Sequence, residues 1–541
     1  MLTPPLEPTV DRANPKFKDV ASCEKWLAQL QMTNLQQAHS MLLTEINEFN
    51  RYAMGELVRL NTLEFLRETI DYVQGEYAKK LVGKPLPLNE HELLTFLSSV
   101  QLWQAMSLGY QRCLQSLIEG DKQLAKRKAL LCHRSMLYNG KAIFQYLRTG
   151  YEFEGKLWQQ LHGLYVYAES EGLLFEKVPD AFNKFQPKDT CQQAFLRILL
   201  ISHAHPAELS RAQMNLLDSW LQHFIGMLAI DRRYTASKGD APPLAFDLGG
   251  SQHGLQLARM TKPGESMRYL AMVPLSKSIR VKTILLQQGK TPRQVELGDI
   301  GNNRECIELL TFLHQCWCED PDMRFVPHKQ SGQRIELCYS FKNIYAQMTG
   351  GGVKQPTKSA ESDHASRKQI ETFGRVLQDS PNRKQAETLP SLEIWNIDSE
   401  TIQGAQLTRE GTLGGQLIQR QILALRHDDT GVFVLGVAAS VKVIRTGQLR
   451  IGMRYLPGKV EAVTLRAVGT EIAELDKPAA AFLLHVIPEL KIPPSLIIPH
   501  NWFKPERLLE MSSGNGDKQN IKVGFSVEHG GDFERVSFTS D

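Results

Sequence analysis

Two hydrophobic periods run through this chain, and one core cannot serve both. From residue 22 to residue 224 apolar side chains recur three and four apart, as in Trp26, Leu27 and Leu30, Leu57, Leu60 and Leu63, and Leu93, Leu94, Phe96 and Leu97. That spacing lines one face of an α-helix. Gly83-Lys84-Pro85 and Gly120-Asp121 break the pattern, as turns between consecutive antiparallel helices would. After Leu392 the period falls to two, in the runs 392–397, 404–408, 416–425, 432–445, 449–455 and 461–466. Turn signals separate them at Asp428-Asp429-Thr430-Gly431, Thr446-Gly447 and Pro457-Gly458. The expected fold class is therefore multidomain α + β: an N-terminal all-α helical bundle or solenoid, a small mixed α/β module, and a C-terminal antiparallel β-barrel with a β-rich tail.

A length of 541 residues fits several folded units at roughly 100–200 residues each. Composition places the expected boundaries. Residues 1–21 read as a tail and 22–235 as the helical domain. In the mixed module, 241–349, the runs 242–248, 268–273 and 334–340 read as strands, and 275–287 and 303–318 as amphipathic helices. From Gly350 to Pro390 Lys, Ser, Asp, Gln and Asn dominate, so 350–390 reads as a linker with one short helix around 366–377. Residues 391–470 are the expected barrel and 471–541 a β-rich extension.

Charge and hydropathy exclude several classes. The 63 basic and 59 acidic residues leave +4 over the whole chain, too little to mark a nucleic-acid polymer as partner. The longest apolar runs, 431–441 and 479–484, fall short of the roughly 18–20 residues a membrane span needs. The opening MLTPPLEPTVDRANPK lacks the basic start and apolar core of a signal peptide, so the expected location is the cytoplasm. Eight cysteines at irregular spacing read as free, mostly buried thiols.

No catalytic or metal constellation emerges. Gly150–Lys156, GYEFEGK, has the glycine and lysine spacing of a phosphate loop, but Leu157 replaces the magnesium-binding hydroxyl and two glutamates occupy the loop. His314-Gln315-Cys316-Trp317-Cys318, with Cys306 and Cys338, gathers possible zinc ligands, yet on a helix positions 316 and 318 point about 200° apart. His203-Ala204-His205-Pro206 has no acidic or cysteine partner nearby. The expectation is no enzyme, no metal and no cofactor. Trp158, Leu161, Gly163, Tyr165 and Ala168 partly match a tetratricopeptide pattern with the glycine shifted by one, which leaves a repeat and plain antiparallel helices both open.

Four segments carry a family likeness: 335–352, IELCYSFKNIYAQMTGGG; Glu371-Thr372-Phe373-Gly374-Arg375; 392–407, LEIWNIDSETIQGAQL; and 436–456, GVAASVKVIRTGQLRIGMRYL. Together they resemble a proteobacterial family ending in a PilZ-type β-barrel, over roughly 241–541 and best over 437–456. The resemblance implies a receptor for cyclic di-GMP. In such domains an RxxxR stretch before the barrel clamps phosphate and stacks on guanine, and a (D/N)xSxxG turn supplies the remaining polar contacts. Guanidinium suits the first task because it is planar, permanently charged and bidentate.

Here Ser399-Glu400-Thr401-Ile402-Gln403-Gly404 stands where the second motif belongs. Gly404 is kept, Thr401 keeps the hydroxyl, and Ser399 replaces the acid or amide, with Asp398 one place away. No RxxxR precedes it; the nearby cations are Arg367, Lys368, Arg375, Arg383 and Lys384. The expected ligand-binding residues are Arg375, Arg383, Lys384, Ser399, Thr401 and Gly404, in a pocket degenerate in its motifs. Each missing charge-assisted contact is worth about 1.5–3 kcal/mol. The reading is a cytoplasmic bacterial signalling protein, a cyclic di-GMP receptor-like regulator whose helical half contacts a protein partner. The alternative is a ligand-independent interaction scaffold on a degenerate barrel.

Overall fold

A computed structural model describes residues 13–81, 83–180, 188–234, 241–250, 254–319, 329–330, 332–350, 392–427, 431–468, 478–514 and 516–540. Two compact units result, Met1–Phe325 with Lys442–Thr446, and Val326–Val441 with Gly447–Asp541. The expected linker 350–390 and its short helix fall almost wholly outside the described residues.

The first unit is helical, as the spacing predicts. Its helices are α1 (Val20–Leu27), α2 (Leu35–Arg51), α3 (Glu56–Lys79), α4 (Glu90–Ile118), α5 (Lys128–Thr149), α6 (Lys156–Ser170), α7 (Cys191–His203) and α8 (Arg211–Phe224). Reciprocal capping boxes start α1, α4 and α8, through Asp19 with Ser22, Asn89 with Glu92 and Ser210 with Gln213. Each satisfies N–H groups the first turn leaves open. Close helix approach needs Gly140 on α5, where a Cβ would sit 2.7 Å from Ile198 Cγ1 of α7. Ion pairs thread this core: Arg67 Nη2 donates to Asp180 Oδ1 at 2.6 Å with both side chains buried, and the buried Arg134 donates from Nε to the partly exposed Glu64 Oε1 at 3.0 Å.

The mixed module belongs to the same unit. Strands β1 (Val178–Pro179) and β2 (Lys188–Asp189) pair with each other, and β3 (Ile230–Asp231), β4 (Leu244–Asp247), β5 (Gln256–Leu257) and β6 (Met267–Leu270) form a sheet in the order β3-β6-β4-β5. Helices α9 (Val273–Gln287) and α10 (Asn303–Cys318) follow. Indole N–H bonds tie the module to the helices, from Trp317 to the Leu200 carbonyl at 3.1 Å and from Trp220 to the Leu297 carbonyl at 2.9 Å. Among the described residues no helix is long and apolar enough to cross a membrane.

The second unit holds two closed six-stranded rings. The first uses β8 (Arg334–Tyr339), β9 (Glu393–Thr401), β10 (Gly404–Arg409), β11 (Ile422–His427), β12 (Phe433–Val441 within this unit, continuing to Val443) and β13 (Leu449–Tyr455). They run in the order β10-β13-β12-β11-β8-β9, and β9 returns to β10 to close the ring. A two-residue strand, β7 (Lys329–Gln330), pairs with Ser399 and Glu400 of β9 on the edge opposite β10, beyond the β8 pairing at Glu393–Asn396. The second ring is β14-β15-β16-β19-β18-β17, built from β14 (Val460–Ala467), β15 (Ala479–Leu484), β16 (Ser495–Pro499), β17 (Leu508–Ser512), β18 (Lys518–His529) and β19 (Phe533–Ser540). Closure removes the edges that an open sheet would expose. Helix α11 (Phe341–Thr349) places Ile344 and Tyr345 in an apolar cluster with Ile422, Val437, Phe482 and Phe533, drawn from both rings.

This differs from the sequence expectation in how strands are shared. The run 461–466, expected as the last strand of the first barrel, opens the second, and what reads as a tail is the rest of that ring. The run 334–340, expected in the mixed module, supplies β8, with Ile335 and Leu337 buried in the first ring.

Candidate functional site

The hairpin joining β9 and β10 carries Ser399, Thr401 and Gly404, with Thr401 opposite Gly404 and Ser399 opposite Gln406. Thr401 Oγ1 accepts from the N–H groups of Gln403 and Gly404, each at 3.2 Å, and donates to the Gly404 carbonyl at 3.1 Å. The hydroxyl closes the turn. Gly404 lies opposite Arg454 on β13, and a Cβ there would stand 2.1 Å from the Met453 carbonyl oxygen. Only glycine lets the strands approach so closely. Ile402 at the hairpin tip is 88% exposed.

Asp398 and a cation from β13 stand beside this turn. Asp398 Oδ2 accepts from Thr408 Oγ1 at 2.7 Å and pairs with Arg450 Nε at 3.2 Å. The same Nε reaches Thr408 Oγ1 at 3.1 Å. Glu400 Oε1 accepts from the Tyr455 hydroxyl at 2.5 Å, and burial followed by that carboxylate pushes the phenol's pKa up. Sequence reasoning missed Arg450. The signal was present in β13, where Leu449, Ile451 and Met453 are buried and Arg450 and Arg454 alternate with them. Arg375, Arg383 and Lys384 lie outside the described residues.

A second polar cluster in the same ring is structural. Arg409, 1% exposed, donates through Nη1 to the Gly415 carbonyl at 2.6 Å and through Nη2 to the Thr412 carbonyl at 3.3 Å, with its guanidinium 5.9 Å from the Trp395 ring. Glu393 accepts from the Tyr339 hydroxyl at 2.6 Å and the Gly415 N–H at 2.7 Å. These bonds pin the loop after β10 onto the barrel. The cysteine and histidine candidates are also engaged: His314 Nε2 lies 2.9 Å from Ser276 Oγ and its Nδ1 3.2 Å from Glu319 Oε1. Cys306, Cys318 and Cys338 are buried free thiols.

Comparisons with known proteins bracket this hairpin. Residues 21–234 match the family described as the N-terminal domain of the cyclic-di-GMP receptor FimW, and residues 463–540 match the FimW C-terminal β-barrel domain. A curated relative, the cyclic-di-GMP receptor FimW of Pseudomonas aeruginosa, is 23% identical over 226 residues, 41% of this chain and 37% of that protein. The alignment thus covers little more than a third of the relative. The first match takes in the helices from α1 to α8, the second nearly all of the second ring, and the ring that carries the hairpin lies between them.

Proposed function

We propose that this chain is a cyclic di-GMP-responsive signalling protein of the cytoplasm, a binding protein and not an enzyme, whose helical unit meets a protein partner. The observation that carries the reading is the paired match, at both ends of one chain, to the two named domains of a single cyclic-di-GMP receptor. In this reading the first ring is the PilZ-type barrel and its hairpin is the ligand cradle. Ser399 offers a hydroxyl and Arg450, held to Asp398 through Nε, its Nη groups, while Thr401 and Gly404 hold the turn in shape. Arg375, Arg383 and Lys384 would grip the phosphates from the segment before β9. A dianionic ligand needs such cations, because a lost charge-assisted bond weakens binding roughly ten- to hundred-fold.

Isothermal titration of the full chain with cyclic di-GMP, with cyclic di-AMP as control, tests the proposal. Saturable heat for the guanine ligand alone, reduced in R450A, supports it. An absence of heat at high micromolar ligand overturns it.

One observation favours a scaffold reading: the Thr401 hydroxyl and one Asp398 oxygen are already bonded within the barrel. The R383A/K384A double variant separates the two. A receptor loses its ligand response, whereas a scaffold keeps every partner regardless.

A further inference from the structure

Helix α9 has two unlike sides. On one, Leu275, Ile279 and Leu286 are buried together with Ser276 and Lys282. On the other, positions 274, 277, 281, 284 and 288 follow the three-and-four spacing of a single helix side, and all five are exposed. Two of the five are aliphatic: Val281 is 55% and Ile284 50% exposed. Single exposed apolar residues are ordinary on a protein surface. A β-branched pair on adjoining turns of an open helix side weakens the helix and gains no packing there.

The charge of this side has one sign. The 15 residues of α9 include no acid, Lys277 lies one turn before Val281, and Arg280 is exposed beside it. Arg280 Nε bonds His314 Nε2 at 3.1 Å, which ties that side chain to α10. The exposed Lys290 follows the end of the helix, where Asn303 Nδ2 bonds the Leu286 and Lys290 carbonyls at 3.1 and 2.8 Å. Two carboxylates of the neighbouring loops, Glu296 and Glu319, pair with Lys282 and His314.

An aliphatic pair edged by cations suits a helix that offers aliphatic groups and carboxylates on one side. We infer that the exposed side of α9 docks an acidic amphipathic helix of a protein partner, whose aliphatic groups cover Val281 and Ile284 while its carboxylates meet Lys277 and Arg280. This rests on the proposed contact between the helical unit and a protein partner, and gives that contact a surface and a chemistry. A second copy of the chain fits less well, because the same face paired with itself would set cation against cation. An anionic membrane also fits less well: helices that lie in a headgroup layer bury a broad apolar side with Trp, Phe or Leu, and this side exposes two aliphatic residues and no aromatic one.

The probes are two designed helical peptides of about 20 residues, alike in a leucine stripe, with glutamate at the remaining positions of one and lysine at those of the other. Fluorescence anisotropy of each labelled peptide is followed as the full chain is added at low salt. Saturable binding of the glutamate peptide is expected, weakened by added salt, with no binding of the lysine peptide. V281S/I284S should weaken it about ten-fold or more. K277E, at an exposed position, should weaken it too and keeps the test decisive if the double variant fails to fold. F65S/Y72S, which changes two exposed rings of α3, should leave it unchanged. No saturable binding at high micromolar chain, a lysine peptide bound as tightly, binding untouched by both V281S/I284S and K277E, or loss of binding in F65S/Y72S with its helical circular dichroism intact would each overturn the inference. So would sedimentation showing a dimer that V281S/I284S dissolves, or phosphatidylglycerol vesicles bound by the wild type and released by that variant. Cyclic di-GMP heat measured on V281S/I284S scores the receptor reading separately, because that variant should bind the dinucleotide as the wild type does.

Discussion

The two units solve the problem of a stable interior in opposite ways. The helical unit buries charge. Arg67 bonds both Asp180 and Tyr138, Arg134 and the Tyr110 hydroxyl share Glu64, the ring of His39 lies inside, and that of His203 is half-buried. The second ring of the other unit is filled by Val463, Leu465, Leu496, Ile498, Leu509, Ile521, Val523 and Val536. Helices of 22 to 29 residues such as α4 and α5 can carry long polar side chains across a bundle and pair them on a neighbour. A six-stranded ring has a narrow interior and leaves room for little besides aliphatic groups. The difference predicts that the helical unit depends on specific partners and on pH, whereas the second ring depends on volume.

The sharpest way to break that contrast is Arg67→Met. The change takes the Arg67 hydrogen bonds away from the buried Asp180 carboxylate and the Tyr138 hydroxyl, a loss expected to be about 3–5 kcal/mol. Hydrogen exchange read by mass spectrometry should show it in peptides of the helical unit, and a loss under about 1 kcal/mol would mean that its buried pairs are incidental. The counterpart in the second ring is Leu496→Ala, where transfer and cavity terms together cost about 2–5 kcal/mol. That loss should be the same at pH 5 and pH 7, because no titrating group changes its surroundings.

Acid should then pull the units apart. Burial lowers the pKa of His39, and of His203, from 6.5 to about 4. For a histidine depressed in the folded state, the unfolded chain takes the proton first. Stability is therefore whole above pH 6.5 and falls as the pH drops to about 4, by roughly 3 kcal/mol at most for His39, which is 1% exposed. Arg134 and Arg67 hold Glu64 below its usual value against the pull of burial, and Arg67 does the same for Asp180, so both add to the loss at still lower pH. In the second unit Asp532 goes the other way, since burial raises its pKa although the Ile422 N–H bond opposes the shift. Its folded form takes the proton first, and its contribution grows as the pH falls. Melting followed from pH 7 to 4 should show the helical unit weakening first, and His39→Phe should flatten part of that slope.

How much of this was legible in the sequence follows from which contacts are local. The helices α1, α4, α8 and α10 were readable because caps and three-and-four spacing are written within a few residues, as in Asn302 with Glu305 at the start of α10, and α9 by its spacing alone. Ring membership was not. An alternating run states that one face is buried but not which neighbour it pairs with, so 461–466 reads the same in either barrel. Nor does anything near Ile335 announce that its partner is Trp395, across a long polar stretch. The hairpin residues were legible as a motif. Arg450 joins the candidate site only because β13 lies beside β10.

The smallest effect concerns the hairpin, and it sharpens the comparison within the barrel unit itself. Thr401→Val removes the oxygen that accepts two N–H groups of the turn, and should cost about 1 kcal/mol of the first ring's stability. Ser399→Ala, on the same strand and half-buried, with no hydrogen bond to its hydroxyl from the described residues, should leave stability nearly unchanged. If the hairpin is a ligand cradle, the order reverses for cyclic di-GMP: S399A weakens binding more than T401V does, because only the Ser399 hydroxyl remains available to a ligand. Melting temperature and titration heat measured on the same two variants therefore separate a residue that shapes the turn from one that uses it, and equal binding in both would mean the hairpin does not touch the ligand.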